Sequence, residues 1–363
     1  DIQVYDDLRQ RLIVSNQAQD GPDIQHMLGE WVYEMSQMGM LVDITERVEE
    51  WEGADAFPDN AWDVATVDGQ IYGVPSVASA RTLVYRQDVF EENGISAPPE
   101  TWEELREVAR ELTVDTDDDG EIDQYGFAFA SSSDAIRGPQ EFAVHLWSTG
   151  GDFVTEKGDE WVIGFTKNQA EQVFQFYYDL MHVDESVPPY SLGWEWQELD
   201  DAFEAGSVMM TQNGRWMQNR AERSDHGQSW ETAPYPYHSE PATYLEVKVE
   251  GLNVHGTSSE DAAWDFLTWL MERDNLVYVA QTDNLPARTD SSDSEYWDDD
   301  PTWTGTFADV VPDGRAMPPI SMGAIFDYSM EYLQEVLHER MEPAEAAEGF
   351  YDAVESYLAE SVN

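Results

Sequence analysis

From Leu8 onward the apolar residues follow two rhythms. Helical spacing puts Leu8, Leu12 and Ile13 on one side of DLRQRLIVSNQAQ and runs again through GEWVYEMSQMGML until Gly39 breaks it. Further along, Trp102, Leu105, Val108, Ala109 and Leu112 recur at the same spacing behind TWEE, residues 101 to 104. There a hydroxyl and a carboxylate each satisfy an amide left open at a helix start. The same device opens TKNQ at 166, ahead of Val173, Phe174, Tyr177, Leu180 and Met181. It also opens SSEDAAWDFLTWLM at 258, whose stripe reads Ala262, Ala263, Phe266, Leu267 and Leu270. A terminal helix spans Met341 to Leu358, with Pro343 near its start. Between the helices lie short runs of strand character: IQVY at 2 to 5, IYGV behind the hairpin signal Asp68-Gly69, and Thr82 to Tyr85. Strands alternating with helices predict an α/β fold, and no repeat of fixed period is present.

With 363 residues the chain exceeds the roughly 250 to 300 at which one core stops growing, so two domain-sized cores are expected. Charge changes the picture further. The 75 Asp and Glu outweigh 18 Lys and Arg, giving a formal charge of -57 spread along the whole length. Such a surface repels nucleic acid and anionic lipid headgroups, which excludes nucleic acid as a partner. It also repels itself, and at molar salt the Debye length shrinks to about 3 Å, short enough to quench most of that repulsion. A salt-loving host is the natural reading, and any single Asp then has a poor claim to chemistry. No cysteine occurs, which removes thiol nucleophiles, disulfides and cysteine-ligated metals. No run approaches 18 consecutive apolar residues, as a membrane-spanning helix requires. The sequence opens at Asp1 without a signal-like segment, so the leader of an exported product is expected upstream.

Catalytic signatures are absent. The seven histidines form no H-E-x-x-H, Ser131 to Ser133 sit in no G-x-S-x-G elbow, and no phosphate-binding glycine loop appears. A glycosidase remains compatible, because its two carboxylates are defined by a separation of about 5 to 10 Å in space and by no motif. DTDDDGEIDQYG, residues 115 to 126, places Asp115, Asp117, Asp119 and Asp123 at calcium-loop spacing with glycine sixth, although Gly126 stands where the bidentate Glu belongs. The alternatives there are a structural calcium site and a polar hairpin. Aromatics are the better clue: of Trp31, Trp147, Trp194, Trp196, Trp216 and Phe326, several lie beside glycine and at element ends. Flat rings next to Arg, Asn and Glu suit a neutral polyhydroxylated ligand, whose C–H faces stack while its hydroxyls take hydrogen bonds. In DAFEAGSVMMTQNGRW, Asn213-Gly214 predicts a turn through left-handed backbone angles, with Trp216 just past it; that ring belongs either to the core or to a binding surface.

An ordered set of fragments carries a resemblance: GPDIQH with GMLVDIT, DGQIYGVP, LVYRQDVFEENGI with APPETWEEL, YGFAF, DAFEAGSVMMTQNGRW, GTSSEDAAWDFLTWL and NLPAR. In order and spacing the chain resembles the extracellular solute-binding proteins of ABC importers, in the sugar-binding group that includes maltose-binding protein. The acidic bias looks like a haloarchaeal member. The resemblance implies two α/β lobes of the periplasmic-binding-protein type, joined by a hinge of crossover strands. The first lobe would take residues 1–79 and 251–312 and the second 83–246 and 318–363. Crossovers would fall near Ala80 to Thr82, Lys248 to Gly251 and Met317 to Gly323. It further implies a monomeric, non-catalytic receptor that delivers a sugar or oligosaccharide to transmembrane permease subunits. The receptor would sit outside the cell, anchored through a lipidated N-terminus. A secreted glycoside hydrolase or a non-catalytic carbohydrate-binding surface protein is the alternative. Matching positions nominate Trp216 as the stacking ring, with Asn213 beside it. They also nominate His26, Glu30 and Trp31 after GPDI, Ser79 and Arg81 after Pro75, and Met322 and Phe326 in the last crossover. Trp194 and Trp196 of GWEW join them. No cofactor is required beyond the possible structural calcium. The family normally begins with a strand and long helix ahead of the segment matching residues 1 to 5; these are missing here, so the sequence is expected to be part of a longer product.

Overall fold

The structure is a computed structural model that describes residues 5–132, 137–158, 160–256, 259–280, 284–291 and 301–362. Most of the strand expected at 2 to 5 lies outside these residues, and Tyr5 opens the helix Tyr5–Gln17. Eight strands carry or support the nominated residues: β1 (Ile24–Leu28), β2 (Val74–Ser79), β3 (Thr82–Arg86), β4 (Met210–Asn213), β5 (Trp230–Ala233), β6 (Thr243–Tyr244), β7 (Glu246–Leu252) and β8 (Leu285–Pro286). Packing divides the chain into two units. The first is Asp1–Ser79, Leu245–Thr304 and Ala316–Met322; the second is Ala80–Tyr244, Gly305–Arg315 and Gly323–Asn363. Residues 245–250 therefore group with the first unit, because β7 pairs there along its full length, and residues 305–312 group with the second.

The first unit is built on a four-stranded sheet in the order β1-β7-β2-β8, every neighbour antiparallel. Its core gathers Val74, Val77 and Leu252 from the sheet with Ile44, Val48, Phe57, Leu267, Met271 and Leu276. The Asp68-Gly69 hairpin forms as its sequence predicts: both residues have positive φ, the geometry that suits the right-handed twist of the flanking strands. Helix Glu260–Leu270 starts on Ser259, whose hydroxyl accepts from the Ala262 amide at 3.2 Å; Ser258 lies outside the described residues. The stripe expected on this helix is rotated. Ala263 and Leu267 are interior, whereas Ala262 faces solvent and Phe266 is 53% exposed, packed on Trp269 at 5.6 Å.

The second unit contains a three-stranded antiparallel sheet, β4-β3-β5, and an aromatic helical core. Helices Arg137–Ser148, Lys167–Tyr178 and Pro343–Tyr357 contribute Phe142, Phe174, Tyr177 and Phe350 to one cluster, with ring centroids 5.3 to 6.4 Å apart for Phe142 with the other three. Both expected capping boxes are made. Thr101 accepts from the Glu104 amide and Thr166 from that of Gln169, each at 3.3 Å, and the acid or amide side chain returns to the cap residue. Among the described residues no helix is long and apolar enough to cross a membrane.

Candidate ligand-binding site

Strand β4 delivers the Asn-Gly-Arg-Trp turn in the second unit. Gly214 is there for a different reason from the one its sequence suggests: its φ is not left-handed. A Cβ at this position would lie 1.8 Å from Cζ3 of Trp216, so glycine is the residue that lets the ring fold over the backbone. Asn213 is fully buried, its Nδ2 donating to Asp200 Oδ1 at 2.8 Å and its Oδ1 accepting from the Gly214 amide at 3.0 Å; the amide is structural scaffolding. Trp216 is half-buried and no core residue. Its indole N–H donates to Asp200 Oδ2 at 3.1 Å, and the Arg81 guanidinium carbon sits 4.7 Å from its ring centroid. Arg81 also lies 5.3 Å from the Tyr244 ring and donates to Gln140 Oε1 at 2.8 Å. The Thr243 hydroxyl holds its backbone, accepting from the Arg81 amide at 2.8 Å and bonding its carbonyl at 2.6 Å. A cation held against an aromatic face in this way is worth about 2 kcal/mol or more when desolvated.

Behind this pair lies a buried ion cluster. Arg137 Nε reaches Glu141 Oε1 at 2.6 Å and Nη1 reaches Asp200 Oδ1 at 3.1 Å, while Nη2 donates to the Gln212 carbonyl of β4. Arg220 Nε stands 3.7 Å from Asp200. Burial pushes the Glu141 carboxyl above its usual range, opposed by Arg137 and by the Ala130 amide that donates to it. Removing one partner of such a cluster strands a buried charge, at a typical cost of about 3 to 5 kcal/mol.

In the first unit, His26 on β1 places Nδ1 2.5 Å from Glu250 Oε1 on β7, which also accepts from Ser76 Oγ at 3.0 Å. Over its first five residues β7 alternates: Val247 and Val249 are apolar, while Glu246, Lys248 and Glu250 stand on the opposite face, all buried, with Lys248 Nζ 3.8 Å from Glu246. Ser79 ends β2 in register with Glu246 and is buried. Glu30 occupies the first turn of Gly29–Gln37, half-buried. Trp31 is 6% exposed and packs in the interior, where a bulky apolar ring gains most by leaving water. Met322 is likewise buried. In the second unit Trp194 is half-buried against Tyr190 at 5.7 Å, with its carbonyl accepting from the Ser131 and Ser132 amides. Trp196 opens the helix Trp196–Ala205, and Phe326 packs its ring 6.0 Å from Phe153. Of the nominated residues, then, Trp216 and Asn213 meet on Asp200, and Arg81 lies against the Trp216 ring. Asp200, Arg137, Glu141, Gln140 and Tyr244 are the members that sequence reading missed.

The acidic loop assembles three of its four expected ligands. Carboxylate oxygens of Asp115, Asp117 and Asp119 lie within 4.8 Å of one another, and Gly120 takes a positive φ at the loop's sharp turn. Asp123 is committed elsewhere: it accepts from the Thr116 hydroxyl at 2.6 Å and the Thr116 amide at 3.0 Å, and these bonds hold its carboxyl below the usual range. The donor set suits a hard divalent cation but is three carboxylates, one fewer than the spacing implies.

These features belong to a known class. Residues 2–305 match the bacterial extracellular solute-binding protein family, and the chain is a member of it. A binding protein of Brucella abortus is 22% identical over 344 residues, 93% of this chain and 80% of its own length. The maltotriose-binding protein of Pyrococcus abyssi is 23% identical, covering 92% of this chain and 69% of the relative. An ABC transporter solute-binding protein of Thermotoga lettingae, solved with α-D-tagatose bound, superposes with a TM-score of 0.86 at 23% identity. That match covers 98% of this chain and 90% of the other. The fold is accordingly the two-lobed α/β fold of periplasmic solute-binding proteins.

Proposed function

We propose that this chain is the sugar-binding receptor of an ABC importer, taking a sugar or short oligosaccharide outside the cell and presenting it to permease subunits without chemical turnover. The Arg81–Trp216 pair carries the reading. An indole fixed by its N–H edge and partly exposed carries the buried Arg81 guanidinium over its ring, and the Gln140 amide accepts from that guanidinium. That combination sets partly exposed aromatic carbon, which suits sugar C–H groups, next to hydrogen-bonding groups for hydroxyls. The Pyrococcus relative is named for maltotriose and the Thermotoga structure holds a ketohexose, which supports the same ligand class. His26 with Glu250, Glu30 and Ser79 are the first unit's candidate contacts; Trp194, Trp196 and Phe326 are further candidates in the second. Action as a monomer, attachment to the membrane through a lipidated leader, a halophilic host and a structural calcium on Asp115, Asp117 and Asp119 complete the proposal.

A thermal-shift screen of mono- and oligosaccharides in high salt, followed by calorimetric titration of the best hit, tests it. Trp216→Ala is expected to weaken binding at least thirtyfold, about 2 kcal/mol for loss of a central aromatic contact. Parental affinity in folded Trp216→Ala protein would refute the assignment.

A further inference from the structure

We propose that Asp200 is a positioning residue for the sugar platform: its buried carboxylate sets the plane of the Trp216 ring, so that the stacking face exists before ligand arrives. This rests on the sugar-receptor reading above. The carboxylate reaches the turn from a separate element, helix Trp196–Ala205, and takes one side of the turn on each oxygen. Oδ1 accepts from Asn213, the residue entering the turn, at 2.8 Å; Oδ2 accepts from the indole N–H of Trp216, the residue leaving it, at 3.1 Å. Gly214 between them has no side chain to hold the ring off.

The chemistry at position 200 is specific to a carboxylate. Both groups aimed at it are N–H donors, and only an ionised carboxylate offers an acceptor to each; an amide there would have to turn an N–H toward one of them. The charge is compensated in place by Arg137 at 3.1 Å and Arg220 at 3.7 Å, and Arg137 is shared with Glu141, so Asp200 is not an isolated buried anion. A tryptophan side chain otherwise loses rotational freedom when it binds. Tethering the N–H edge removes that freedom beforehand, which is the physical content of preorganisation.

The test separates the tether from the ring. Replacing Trp216 by 3-benzothienylalanine keeps a bicyclic face of nearly the same size but substitutes a sulfur that cannot donate, leaving every side chain of the ion cluster in place. With maltotriose as probe in high salt, this variant is expected to lose two- to tenfold in affinity, the scale of ordering one side chain. Asp200→Asn should cause a similar loss in the parent and none further in the benzothienyl background. An unchanged affinity in the benzothienyl protein overturns the proposal even if Asp200→Asn does not fold. An equal loss from Asp200→Asn in both backgrounds overturns it as well, since Asp200 would then act on the fold and not through the indole. Trp216→Ala with parental maltotriose affinity would instead sink the sugar-platform reading on which the proposal stands.

Discussion

Acidification should expose one buried histidine as a stability switch. His145, in helix Arg137–Ser148, is fully enclosed: Nε2 lies 2.9 Å from the Tyr235 hydroxyl and Nδ1 2.9 Å from that of Tyr177, with Trp102 and Phe176 packed on the ring. Burial lowers its pKa from 6.5 to about 3, so the folded protein holds it neutral. Because the folded value is depressed, the unfolded chain binds the proton first. The stability contribution is fully present above about pH 6.5 and is lost as pH falls toward 3. Each pH unit in that window costs about 1.4 kcal/mol, and by pH 4 the loss is on the order of 3 kcal/mol. The carboxyls of Glu141 and Asp152 are raised by burial and act in the opposite direction. The informative quantity is therefore a difference. Urea unfolding of the parent and of His145→Gln, whose amide supplies one donor and one acceptor without titrating, would be compared at fixed high salt between pH 7.5 and 4. The stability of the parent minus that of the variant should fall by about 3 kcal/mol across this range. A flat difference would refute the claim that His145 is neutral in the fold.

The net charge of -57 leads to the expectation that cooperative thermal unfolding is lost near 10 mM salt at neutral pH and recovered toward about 1 M; an unchanged melting curve at low salt would contradict it. For the acidic loop, calcium titration in potassium chloride should give saturable heat that disappears in Asp117→Asn/Asp119→Asn and persists in Asp123→Asn, because Asp123 serves Thr116; identical heats in the parent and the double variant would mean a polar turn only. Incubation with oligosaccharides in high salt should produce no new reducing ends, and sustained product formation would favour the hydrolase alternative.

Local signals read well from the chain because they are complete within a few residues. Thr101 with Glu104, Thr166 with Gln169, and Asp68-Gly69 each carry their partner or their backbone requirement with them. Whole-chain likeness in the order of motifs carried the fold. Elsewhere the deciding neighbour lies outside the local pattern. Helix Glu260–Leu270 has apolar residues nearly all round, so spacing alone does not say which face is interior, and Phe266 fell on the wet side. Asp123 fits a ligand pattern by number, and its hydrogen bonds to Thr116 are not part of that pattern. Asp200 was one acid among 75, and nothing local distinguishes a buried carboxylate from a solvated one. The charged face of β7 was within reach, since EVKVE alternates with period two, the signature of a strand with one polar side.

The strand order of the first sheet has a bearing on how this chain is made. β7 lies between β1 and β2, pairing with both, yet it is translated long after either. At ~5 to 20 residues per second, those two strands wait roughly ten seconds or more on the ribosome with a vacant lane between them. The sequence of the second unit from Ala80 to Tyr244 is completed in that interval. The nascent protein thus passes through a period in which early segments hold unpaired backbone and apolar Val74 and Val77 while the longest segment of the second unit is synthesised. A holding chaperone would act most usefully before Leu252 emerges.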